Sequence, residues 1–235
     1  MTATAQPIQK PEQTSLVQII TRYFYVLVIL GAIGIVLFVV FQPITVLPRI
    51  ALAPGFALVD QNNKQLTNED MRGRIALYSF TYSNCVDNCV SSTPLMEDIY
   101  TAILKMDTGD IPVELITISI DPDDTPDKLM VVSDSLGANS NVWHFLTGTE
   151  ERVRWVIGGG FSTFYKELDD GSYQLAPDLM LVDGAGVLRA EYRRGLPEFN
   201  IVMRDIGLLV DEAHNSDGVN KYAYEAAHLF LCYPR

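Results

Sequence analysis

Basic residues are scarce in this chain: 17 Lys and Arg stand against 29 Asp and Glu, a net charge of −12 over 235 residues. So acidic a protein repels phosphate backbones, which excludes nucleic acid as a partner, because that binding requires a basic face. Cysteine is nearly absent as well, with three, too few for a disulfide-dense miniprotein. The 16 glycines and 12 prolines exclude collagen and argue against a disordered chain. What remains is a globular balance, 48% apolar and 20% charged, long enough for one full-size domain. Its mean hydropathy of +0.14 hints at a membrane segment.

That segment is Tyr23–Phe41, YFYVLVILGAIGIVLFVVF, without a single charge. As a helix it would extend about 28 Å, close to the ~30 Å hydrocarbon core of a bilayer. Tyr23, Phe24 and Tyr25 would sit at one interface. Before the span, Lys10, Arg22 and Glu12 leave a net +1; after it come 15 basic and 28 acidic residues. Positive charge stays inside, so the N-terminus is expected in the cytoplasm and the domain on the outer side. An uncleaved anchor is favoured over a signal peptide, whose apolar core would be shorter. Gly31, Ala32 and Gly34 would let another helix approach closely. The absence of an Arg-rich transit peptide points to a bacterial cytoplasmic membrane and its periplasm.

The expected organisation is a cytoplasmic tail (1–22), an anchor (23–42), a Pro-punctuated linker (43–54), an α/β domain (55–213) and a C-terminal extension (214–235). Within the domain, Arg74–Phe80 and Val113–Ile120 read as strands, and Thr93–Lys105 as an amphipathic helix. Asp124–Leu136 reads as a helix with Thr125 as N-cap and Pro126 at its first position. Thr149–Val156 is a short helix expected to end at Gly158, Gly159 and Gly160. Leu179–Val182 and Val187–Tyr192 flank a turn, Asp183-Gly184-Ala185-Gly186, as in a hairpin. Glu198–Ala213 closes the domain as a helix. Strand–helix–strand, then a hairpin, then a helix predicts a thioredoxin-like domain preceded by a single transmembrane helix.

Chemistry concentrates in Tyr82–Val90, YSNCVDNCV, directly after a strand. Cys85 and Cys89 stand three residues apart. If Cys89 opens a helix, both sulfurs point the same way. Such a pair can form a reversible disulfide, hold a soft ion such as Cu(I), or be structural. A bridge over so short a loop gains little chain entropy, so stability alone is a poor reason for it. The negative charge of Asp87 between the cysteines would raise their thiol pKa values and weaken nucleophilicity. Cys232, in FLCYPR, reads as a small apolar residue of a docked tail.

Five blocks together resemble the Sco/SenC proteins: FALVDQNNKQLT, FTYSNCVDNC, ISIDPDDTPDKL, WHFLTG and LMLVDGAGVLRAEY. The resemblance runs from about Phe56 to Asp211. It implies a membrane-anchored thioredoxin fold linked to copper delivery for cytochrome c oxidase, with Cys85 and Cys89 as the two copper thiolates. This chain departs from the family pattern in three places. The family's third copper ligand is a histidine about eleven residues before the hairpin glycine, and counting back from Gly186 lands on Leu175. The acidic block DPDDTP is one residue short. Val90 stands where a proline usually follows the second cysteine.

Without an imidazole, two thiolates still suit Cu(I), whereas Cu(II) loses its preferred nitrogen donor. The chain's own histidines offer little replacement: His144 reads as packed, and His214 and His228 would have to reach back from beyond the family's usual end. Met180, though soft, reads as a strand-core residue. Pro177 fits the pattern PxxxLxDxxG of thioredoxin-like reductases, whose proline is cis and faces the cysteines. Pro94 matches a helix-kinking proline of thioredoxins. Three roles follow as expectations. One is an accessory subunit or assembly factor of a respiratory complex, joined to integral-membrane subunits through the anchor and the aromatic tail (Tyr222, Tyr224, Leu229, Phe230, Tyr233). The others are a copper chaperone for cytochrome c oxidase assembly, and a thiol–disulfide reductase using Cys85, Cys89 and Pro177.

Overall fold

The computed structural model describes residues 16–41, 44–83, 85, 90–216, 218 and 220–230, without the side chains of Leu229 and Phe230. It divides into two compact units, residues 1–43 and 44–235. The first holds helix α1, Leu16–Phe41, with no buried residue. It is long and apolar enough to cross a membrane. The helix begins upstream of the uncharged run and takes in Arg22, since a charge near a helix end can extend to the interface.

The second unit carries β1 (Ala51–Leu52), β2 (Ala57–Asp60), β3 (Gln65–Thr67), β4 (Ile75–Thr81), α2 (Thr93–Ile103), β5 (Val113–Ser119), α3 (Pro126–Ser135), β6 (Trp143–Thr147), α4 (Glu150–Arg154), β7 (Tyr165–Glu167), β8 (Tyr173–Leu175), β9 (Leu179–Val182), β10 (Val187–Tyr192), α5 (Phe199–His214) and α6 (Asn220–Phe230). Among the described residues, eight strands form one sheet in the order β1-β10-β9-β4-β5-β6-β2-β3. β4, β5 and β6 run parallel, with Leu77 opposite Leu115 and Leu115 opposite Trp143. β9 joins β4 antiparallel and turns back into β10. This is the expected thioredoxin-like core.

Alternation along the central strands sends side chains to two apolar layers. Leu77, Leu115, Trp143 and Leu181 meet α2 and α5 on one face. Tyr78, Phe80, Ile116, Ile118 and Met180 meet Val153, Ile157 and Phe161 on the other. A polar chain crosses the first layer: the Trp143 indole donates to Thr117 Oγ1 (2.8 Å), which lies 2.8 Å from Ser79 Oγ. At the sheet's far side the Gln61 amide donates to Trp143 O and accepts from Phe145 N, pinning the β2–β6 edge.

Four local readings change. The segment 43–54 is not a free linker: Val46 and Leu47 are fully buried and β1 pairs with β10. The glycines Gly158–Gly160 do not end the helix. They widen it into a π-helical turn, Trp155–Gly160, in which Phe161 N bonds Val156 O. Gly160 is needed there, since a Cβ would overlap Pro54. Pro94 lies in the first turn of α2 and starts the helix, where its missing N–H costs nothing. The aromatic tail folds back as α6. Its His228 meets Glu212 of α5 at 2.9 Å, and its Glu225 accepts from Arg49 at 3.1 Å.

Candidate functional site

Cys85 follows β4, at the C-terminal end of the parallel strands. That end of an α/β sheet is where crevices form and ligands gather. Three tethers place it. Its own N–H bonds Tyr82 O (3.1 Å). The Tyr82 hydroxyl donates to Tyr173 O (3.2 Å), and the two rings meet edge to face at 5.3 Å. Ser83 bonds the carboxylate of Asp124 twice, through its N–H (2.8 Å) and its hydroxyl, while Ser119 Oγ donates to the same carboxylate. Asp124 is almost fully buried.

Cys85 is disulfide-bonded and packs against the second apolar layer, as do Tyr165 and Tyr173. Cys89 and Cys232, the remaining cysteines, lie outside the described residues, as does Asp87. Leu175 is a buried member of that same layer. Tyr82 and Leu175 are thus members of the layer against which Cys85 packs.

Pro177 occupies the same end of the sheet, because β9 runs against β4 with Leu179 opposite Ser79. Its peptide bond is trans; no cis bond occurs among the described residues. The expectation of a cis proline is thus corrected. Asp178 beside it is buried and pairs with Arg193 at 3.4 Å. Burial pushes the Asp178 carboxyl up, against the opposing pull of Thr163 and Arg193.

The three histidines lie elsewhere. His144, on β6, is buried with its Nε2 3.2 Å from Glu114, near the start of β5. Glu114 also pairs with Arg74 at the start of β4. His144 therefore sits toward the opposite end of the strands from Cys85. His214 ends α5 and abuts Gly109, ahead of β5. His228 is committed to Glu212. Met180 is a fully buried strand residue. Among the described residues no group of three or more His, Cys, Asp or Glu could hold a metal ion.

At this end of the sheet opens a groove of about 1040 Å³, walled by Asp121–Asp123 and the β7–β8 hairpin, including Tyr165 and Tyr173. Burial, followed by the nearby Asp121 and Glu167 charges, pushes the Tyr173 hydroxyl up to about 12, so it remains a neutral phenol at physiological pH. Sequence reasoning missed Asp124 and Tyr173. The only available signal for Asp124 was its place in DPDDTP; its partners Ser83 and Ser119 come from two other elements.

Comparison with known proteins agrees with this architecture. A SCO1/SenC family model matches residues 47–204. A SCO2-like protein of Rickettsia felis is 29% identical over 132 residues, which cover 54% of this chain and 61% of that protein. The match thus spans less than two thirds of the relative's length. A SCO1/SenC family lipoprotein of Bacillus anthracis superposes with a TM-score of 0.61 at 20% identity, covering 68% of this chain and 95% of that one. Copper-bound ScoI of Bradyrhizobium japonicum gives 0.53 at 26% identity, covering 67% and 98%. With the family model matched over two thirds of its length, a thioredoxin-like core, and a cysteine loop at the end of β4, this chain belongs to the SCO1/SenC family.

Proposed function

We propose that the protein is a membrane-anchored assembly factor or accessory subunit of a respiratory electron-transfer complex, with cytochrome c oxidase as its client. The anchor would hold the domain on the periplasmic side of a bacterial cytoplasmic membrane, consistent with the flanking charges. The single observation that carries this reading over copper delivery is the surroundings of Cys85. Cys85 packs against an apolar layer that includes Leu175 and aromatic side chains, while His144, His214 and His228 are placed elsewhere. Copper, as cargo, would find two sulfur donors at Cys85 and Cys89, a set suited to two-coordinate Cu(I) and poor for Cu(II). The interaction is assigned to the anchor, the outer domain and the C-terminal extension, whose Tyr222 stays exposed on α6.

The test is copurification of the oxidase with the full chain from membranes, for wild type and for Cys85→Ser with Cys89→Ser. Retained copurification and normal oxidase assembly in the double variant support the reading. Assembly lost with the cysteines and restored by added copper would overturn it in favour of a chaperone. Thiol–disulfide exchange is the second reading, favoured by the Cys85 disulfide. Loss of assembly that a thiol reductant restores, and copper does not, would select it.

A further inference from the structure

We propose that Asp124 is a positioning residue for the Cys85 loop: it sets the redox equilibrium of Cys85 through geometry, by pegging Ser83 to the turn between β5 and α3. The inference rests on the second reading above, thiol–disulfide exchange at Cys85. Asp124 is 1% exposed, a rare place for a carboxylate unless it is fully engaged. Its engagement is one-sided. Oδ2 accepts from Ser83 N–H and from Ser119 Oγ, and Oδ1 accepts from Ser83 Oγ. Ser83 lies two residues before Cys85, and Ser119 ends β5, the strand next to β4. One buried side chain thereby fixes the stem of the cysteine loop to the neighbouring strand. The turn it closes, Asp121–Asp123, lines the groove at this end of the sheet, so the groove wall and Ser83 share an anchor.

A disulfide forms only when the two sulfur-bearing residues are held within a narrow range of separation. A pegged stem keeps Cys85 near its partner thiol; a released stem lowers the effective concentration of the pair and favours the dithiol. Asparagine separates geometry from charge here. Its carbonyl can take the Oδ2 position and accept from Ser83 N–H and Ser119. Its amide can take the Oδ1 position and donate to Ser83 Oγ, whose hydroxyl is free to rotate. Asp124→Asn thus keeps all three contacts and loses the charge, whereas Asp124→Ala loses both.

The experiment equilibrates the detergent-solubilised full chain with mixtures of reduced and oxidised dithiothreitol. The reductant gives two electrons and two protons to the Cys85 disulfide and leaves as its cyclic disulfide. Alkylation trapping and peptide mass then read the oxidised fraction at Cys85. Asp124→Asn is expected within about twofold of wild type, and Asp124→Ala about tenfold toward the dithiol, equivalent to ~30 mV for a two-electron couple. Equal shifts in both variants would assign the effect to charge and overturn the proposal, as would no shift in either. Should Asp124→Ala fail to fold by circular dichroism, Ser83→Ala with Ser119→Ala decides. It leaves the carboxylate and removes two of its donors, and an equilibrium unchanged from wild type would again overturn the proposal. The equilibrium is read on the isolated protein, so its outcome is independent of copurification with the oxidase.

Discussion

Glutamine at Glu212 is expected to weaken the 44–235 unit by roughly 3 kcal/mol at neutral pH. Glu212 sits in a charged ring: Arg189 bonds both its oxygens (3.1 and 2.7 Å) and His228 meets Oε1 at 2.9 Å. Burial raises its carboxyl pKa, but the hydrogen bonds and charges of His228 and Arg189 outweigh burial and hold it at about 2, against an ordinary 4.5. A folded-state pKa below the unfolded one means stability that is complete above 4.5 and lost as pH falls toward 2. At ~1.36 kcal/mol per pKa step, that gap gives the figure above, an upper bound because a neutral amide still accepts one bond. For a unit of this size, ~1 kcal/mol moves the melting temperature by about 2–4 °C. Thermal melts of the full chain in detergent should therefore show Glu212→Gln lower by roughly 6–12 °C at pH 7. The gap should narrow steadily below pH 4.5, as the wild-type carboxylate takes up its proton. No difference at pH 7, or a gap equally wide at pH 2.5, would refute the ring as the source of the stability.

Other substitutions test separate parts of the molecule. Gly160→Ala should cost about 1–3 kcal/mol, because its Cβ would overlap Pro54, while Gly158→Ala, with open space around it, should be neutral or stabilising by up to ~1 kcal/mol. Paired melts of the two variants check this contrast, and equal effects would reject the close approach. Gln61→Leu leaves the Trp143 carbonyl and the Phe145 amide without their partner and should destabilise by about 2 kcal/mol in melts. Leu175→His should tighten Cu(I) binding to the reduced protein at least tenfold in chelator competition, since it would place an imidazole in the apolar layer against which Cys85 packs. Unchanged affinity would show that Leu175 lies out of reach of the cysteines.

Much of the central sheet was legible because its signals are local. Val113–Ser119 is β-branched and fully buried, and Thr125 caps α3 from the predicted position. Asp183 and Gly186 turn β9 into β10 as their spacing predicts: Asp183 Oδ1 accepts from Ala185 and Val187, and Gly186 takes a positive φ of 73°. Elements stabilised by distant partners were not legible. β1 is two residues long and exists through pairing with Leu188 and Val187. The β7–β8 hairpin is short and partly exposed, held in part by the hydroxyl of Tyr82, 91 residues away. At the site, the cysteines declared themselves by spacing, whereas Asp124 acts through serines 41 and 5 residues distant. Pro177 shows the opposite error: a matching pattern suggested a cis bond that its trans geometry does not have.

The burial of Arg189 decides where the 44–235 unit can be cut from α1. Its guanidinium donates to the main-chain carbonyls of Leu47 (2.7 Å) and Pro48 (3.2 Å), besides Asp183 and Glu212. A fragment begun at Ala53, where hydropathy invites the cut, would leave a buried cation short of two acceptors and strip Leu47 from the core. The N-terminal boundary of the folded unit is therefore set by two carbonyl oxygens, a few residues past α1, and a fragment that folds has to start upstream of Val46.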